Sequence, residues 1–108
     1  MTEFVQVSTA TETREQAIEL ARSVVQSRLA AGAQIIGPVV SAFWHDGAFG
    51  TGEEWQLLLK TRQARYDELE AHLLKHHPWQ SPEIAAVPIV AGSEACLRWL
   101  AANTEPTE

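Results

Sequence analysis

The segment AQIIGPVVSAFWH, residues 33–45, constrains this chain more than any other part of it. It is rich in β-branched residues and ends in aromatics, which is strand composition. If it is extended, alternation puts Ile35, Val39 and Phe43 on one face and Ile36, Val40, Ala42 and Trp44 on the other. Asp46-Gly47 follows, a dipeptide suited to a hairpin turn. The chain then returns through EEWQLLLKT, residues 53–61. Residues 33–61 therefore read as one long β-hairpin with a loose tip around DGAFGTG. In the returning strand Trp55, Leu57 and Leu59 point one way, and Glu54, Gln56, Leu58 and Lys60 the other. A strand that is apolar on both faces is buried on both faces. Helices of the same chain cover one face. The second cover has to come from another copy, so the sequence predicts an oligomer in which open sheet faces meet, with edge-to-edge pairing of the hairpin between chains as a further option and an aggregation-prone monomer as the alternative.

The flanking segments complete a βαββαβ order. EFVQVST alternates as a short strand. A helix is predicted over about residues 13–31, with Thr13 and Gln16 spaced as a capping box and Thr11 as a rival cap. Ile18, Ala21, Val25 and Leu29 form its apolar stripe, and Gly32 is the expected stop. A second helix carries Tyr66, Leu69, Leu73 and Leu74 and ends at Pro78. IAAVPIV is the last strand. Ser93 caps a short terminal helix with Cys96, Leu97 and Leu100, and the polar NTEPTE tail is expected to fray. This is the α+β, ferredoxin-like arrangement, with the second and fourth strands at the sheet edges. Pro38 and Pro88 fall in those two strands, where a missing N–H is tolerated. One domain over residues 1–103 with a tail over 104–108 is the expected organisation.

Composition narrows the partners. The formal charge of −6 opposes binding to a phosphate backbone, so no nucleic acid is expected. The single cysteine, Cys96, rules out an internal disulfide and a multi-thiolate zinc site within one chain. No apolar run suits a membrane span and no signal peptide is visible, so a cytoplasmic location is expected. No nucleophile triad can be read around Ser8, Ser41, Ser81 or Ser93, and GAFGTGE joins two strands, which is the wrong context for a phosphate loop. An acylphosphatase-like enzyme would need glycines and an arginine after the first strand. STATETRE stands there instead, without glycine and with Arg14 placed inside the first helix, and the chain reads as non-enzymatic.

RLAAGAQIIGPVVSAFWHDG, EEWQLLLKT and HHPWQSPEIAAVPIVAG, in this order, resemble the CutA family of divalent-cation-tolerance proteins from about residue 4 to residue 101. The resemblance implies a ferredoxin-like fold and a tight homotrimer with PII-like architecture. It also implies a link to divalent metals, copper included, with no enzymatic activity established for the family.

The same resemblance maps a proposed copper site onto His76 and Glu83 of HHPWQSPE. It includes a thiolate at the end of the first strand, where this chain has Ser8. Gly32 stands at another position where relatives carry cysteine. Cu(I) favours soft sulfur ligands, so without the thiolate the pair suits Cu2+, Zn2+ or Ni2+, completed by water or a neighbouring chain. No cofactor is required. The competing reading of HHPWQSPE is a rigid loop at a subunit seam: His76 and His77 in the last helical turn, Trp79 across the sheet edge, and Glu83 hydrogen-bonded over a chain boundary. Glu54, Lys60 and Trp79 are candidates for an intersubunit cleft that takes a small anionic ligand or a protein partner, in a PII-like signalling or scaffold role. An interchain ion pair is the plainer use of Glu54 and Lys60. His45 and His72 read as surface residues.

Overall fold

The computed structural model describes residues 3–106. β1 (Phe4–Thr11), α1 (Arg14–Gln26), β2 (Gly32–His45), β3 (Ala48–Arg62), α2 (Tyr66–His76), β4 (Ala85–Pro88) and α3 (Glu94–Ala102) follow in order, with a 3-10 turn at Gln63–Arg65 before α2. The four strands form one antiparallel sheet in the order β2-β3-β1-β4. The two proline-bearing strands are at the edges, as Pro38 and Pro88 require.

α1 and α2 cover one face of the sheet. Val5, Val7, Leu57 and Leu59 meet Ala17, Leu20, Ala21, Val24, Leu69 and Leu73 there, all buried. The α1 stripe is centred on Ala17, Leu20, Ala21 and Val24, one position off the predicted one, and Leu74 of α2 is exposed. The capping box forms: Gln16 N–H donates to Thr13 Oγ1 (3.1 Å) and Thr13 N–H to Gln16 Oε1 (3.2 Å). Thr11 instead ends β1.

α1 stops well before Gly32. Arg28 adopts φ 58° and closes a Schellman motif: Arg28 N–H donates to Val25 O (3.0 Å) and Leu29 N–H to Val24 O (3.1 Å). Arginine fills the place where glycine is usual, which is why the stop was not legible. Gly32 begins β2, paired with Lys60.

The hairpin tip is tight, not loose. His45 pairs with Ala48 around Asp46 (φ 48°) and Gly47 (φ 78°), both left-handed as a two-residue primed turn demands. A bulge between Ile36 and Val39 shifts the register. There the absent side chain of Gly37 admits the Trp55 ring: a Cβ at 37 would lie 2.6 Å from Trp55 Cε3. The bulge reverses the alternation read from sequence. Ile36, Val39, Ser41 and Phe43 pair with Gln56, Glu54, Gly52 and Gly50 on the face away from α1 and α2. Val40, Ala42 and Trp44 pair with Glu53, Thr51 and Phe49 on the other.

β3 pairs with β1 only from Trp55 to Arg62. Beyond that, Val39–His45 and Ala48–Glu54 project as a two-stranded arm. Val40, Trp44 and Phe49 on it are 82%, 76% and 63% exposed. Two strands alone are marginal in water. The surface of 6980 Å² exceeds the ~5,900 Å² expected for a compact chain of this mass. The radius of gyration, 14.3 Å, likewise exceeds the ~13 Å norm.

α3 covers one end of the second sheet face. Arg62 Nη2 donates to Ala101 O (2.6 Å) and its Nε to Thr104 Oγ1 (3.2 Å). Thr104 is fully buried, so the polar tail is held at its start. The remainder of that face, with Ile36, Phe43 and Val87, is exposed.

Candidate metal and ligand site

HHPWQSPE follows directly on α2, and its two histidines have different roles. A residue before proline is held extended. His77 accordingly leaves the helix (φ −68°, ψ 138°) rather than occupying its last turn. Its ring turns inward and is 8% exposed. Nε2–H donates to the Ala10 carbonyl (2.7 Å), and Nδ1 accepts from Trp79 N–H (3.0 Å). Both nitrogens are used and the tautomer is set. Burial holds this imidazole below its ordinary pKa, with the Ala10 hydrogen bond acting in the opposite direction. His77 thus ties the α2–β4 loop to the end of β1. Trp79 is half-buried beside it, ring centroids 5.2 Å apart.

His76 is exposed in the last turn of α2, and no hydrogen bond or ion pair engages its ring among the described residues. Its neighbour is His72, one turn earlier, with ring centroids 4.3 Å apart. His72 is not plain surface. It is half-buried, with Nε2 2.7 Å from Ser23 Oγ of α1. Burial, then the positive neighbours His76 and Lys75, lower its pKa.

Glu83 is exposed in the loop, with no hydrogen bond or ion pair to His76 among the described residues. Ser8 lies on the face away from α1 and α2, between Leu58 and Ala85. No group of three or more histidine, cysteine, aspartate or glutamate side chains converges among the described residues. Glu54 and Lys60 share that same face but stand six residues apart on β3, about 20 Å at strand rise. At that separation the two side chains do not share one small-ligand cleft within a single chain. His45 is at the hairpin tip, 3.2 Å from Asp46 in an exposed pair. Cys96 is exposed on α3.

Comparison with known proteins places these features in a family context. Residues 5–103 match the family model described as CutA1 divalent ion tolerance protein. The chain is 34% identical over 104 residues to the divalent-cation tolerance protein CutA of Thermus thermophilus, covering 96% of this chain and 99% of that one. It is 36% identical over 91 residues to the chloroplastic CutA of Arabidopsis thaliana, covering 84% of this chain. It spans about half the length of the plant relatives it matches. Crystal structures of CutA1 from Oryza sativa (TM-score 0.92, 30% identity, 98% and 97% of the two chains) and T. thermophilus (0.91, 31%, 94% and 99%) share the fold.

These relatives correct the expected location. The plant proteins are named chloroplastic, and the Archaeoglobus fulgidus protein is described as periplasmic. Relatives are thus named for compartments other than the cytoplasm, and the cytoplasmic expectation does not stand. No helix among the described residues is long and apolar enough to cross a membrane.

Proposed function

Because the chain belongs to the CutA1 divalent ion tolerance family, we propose that it is a non-enzymatic homotrimer that binds divalent cations, with His76 as the anchoring ligand. The observation that carries the metal reading is the division of labour in the His-His pair. His77 spends both ring nitrogens on the fold, while the His76 ring, at a helix end, has no hydrogen-bond or ion-pair partner among the described residues. Imidazole suits Cu2+, Zn2+ and Ni2+, and with serine at position 8 no thiolate biases the site toward Cu(I). Glu83 is the carboxylate that the family resemblance offers, supplied by this chain's loop or by a neighbour.

The trimer is supported by the uncovered arm and sheet face. Val40, Trp44 and Phe49 are left uncovered by the described residues. Calorimetric titration of tag-free protein with Cu2+, Zn2+ and Ni2+ tests the metal reading. Saturable binding tighter than ~0.1 mM, about 5 kcal/mol, is expected and should be weakened in His76→Gln. Weaker binding in the native chain, or an unchanged His76→Gln, removes it.

A PII-like role, with a small anion or a partner between subunits, is the second reading. It is favoured by Lys60, half-buried on the sheet face away from α1 and α2 with no ion pair among the described residues. A thermal-shift screen of nucleotides and carboxylates tests it, since a ligand selective for the folded state raises Tm. A flat response across the screen counts against it.

A further inference from the structure

His72 and His76 occupy the i and i+4 positions of α2, so their side chains rise from one face of the helix. Two imidazoles at this spacing on one helix face are a chelating pair, the geometry by which helical His-x-x-x-His segments hold zinc. Their ring centroids are 4.3 Å apart. Metal–nitrogen bonds of ~2.0–2.1 Å bring two ligating nitrogens to about 3.0–3.4 Å, a separation compatible with rings whose centroids lie this close.

His72 is also supported as metal-binding histidines are. Its Nε2 faces Ser23 Oγ at 2.7 Å across the α1–α2 contact. With the proton on Nε2, that bond fixes the ring and leaves the Nδ1 lone pair for a cation, as a second partner does for bound histidines in general. Ser23 also lines an open hollow on α1 with Glu15, Glu19 and Arg22, and the exposed His76 ring keeps the pair in contact with solvent. α1 and α2 lie on the sheet face opposite to the exposed Ile36–Phe43–Val87 surface, so packing through that surface leaves the pair accessible.

We infer that His72 and His76 form a two-imidazole site for Zn2+, Ni2+ or Cu2+ within a single chain, completed by water, with Ser23 as its positioning residue and without need of Glu83. The inference rests on His76 being a metal ligand, as proposed above, and names its partner.

The test is calorimetric titration of tag-free protein with NiCl2 at pH 7.5, in native chain and in the His72→Gln, His76→Gln, Ser23→Ala and Glu83→Gln variants, with circular dichroism confirming folding of each. One Ni2+ per chain is expected. His72→Gln and His76→Gln should each weaken binding at least tenfold, Ser23→Ala severalfold, and Glu83→Gln by less than twofold. Imidazole proton resonances of both histidines should shift together on titration. If Glu83→Gln loses Ni2+ while His72→Gln keeps it, the His76 reading survives and this inference is overturned. If His76→Gln keeps it, both fall. Should His72→Gln fail to fold, a shift of the His76 resonances alone in the native chain overturns the pairing.

Discussion

Replacing His77 with alanine tests the most specific structural role found in HHPWQSPE. The substitution removes both partners of a buried pair of hydrogen bonds, leaving the Ala10 carbonyl and the Trp79 N–H unmatched. A buried group left unsatisfied costs about 1–3 kcal/mol. The site is near the surface, so water recovers part of that, and a total loss of about 2–4 kcal/mol is expected for the two groups. His77→Gln should lose less, because its amide can keep the Ala10 bond. The pH dependence carries a sign. Burial depresses the folded-state pKa, so the folded chain binds fewer protons than the unfolded one. The stability from the neutral ring is therefore complete above the unfolded value near ~6.5 and lost as pH falls through it toward the lower folded pKa. Urea denaturation at fixed protein concentration, at pH 7.5 and pH 5.5, measures both effects. Native chain should weaken toward pH 5.5 by more than His77→Ala does. His72, lowered as well, leaves a residual dependence of the same sign. A His77→Ala loss within ~0.5 kcal/mol, the range of neutral surface changes, would refute the tie to β1.

Three other substitutions probe the fold. Arg28→Gly should stabilise by up to ~1 kcal/mol in the same urea assay, because a left-handed non-glycine residue costs about 1–2 kcal/mol and the entropy of an unfolded glycine returns only part. Thr61→Val should stabilise by about 1 kcal/mol, since Thr61 is fully buried and its hydroxyl has no partner among the described residues; a loss of that size would mean that the hydroxyl is bonded in solution. Val40→Lys puts a charge on the apolar arm and should shift assembly toward single chains in light scattering, with the far-ultraviolet circular dichroism of the sheet retained.

Much of the fold was legible because local signals agreed with one another. Thr13 and Gln16 specified a cap that forms, Asp46-Gly47 specified a turn that forms, and Pro38 and Pro88 marked the edge strands. The errors have physical causes. A bulge at Gly37-Pro38 reversed the faces of β2, and nothing in a period-two pattern records an inserted residue. Arg28 in a glycine role hid the end of α1. Thr104 looked like tail because its burial depends on Arg62, distant in sequence. At the candidate site, His77 could have been assigned from Pro78 alone, by the extended conformation that proline imposes before it. The Ser23–His72 contact could not, because it joins two helices whose register only the packed core defines.

In the trimer we propose, two further copies of the chain cover the arm and the open sheet face. Sedimentation equilibrium of the native protein at micromolar concentration measures this directly. The expected mass is that of three 11.9 kDa chains, holding on tenfold dilution and falling in Val40→Lys. A stable single-chain mass, with the arm intact by circular dichroism, would contradict it.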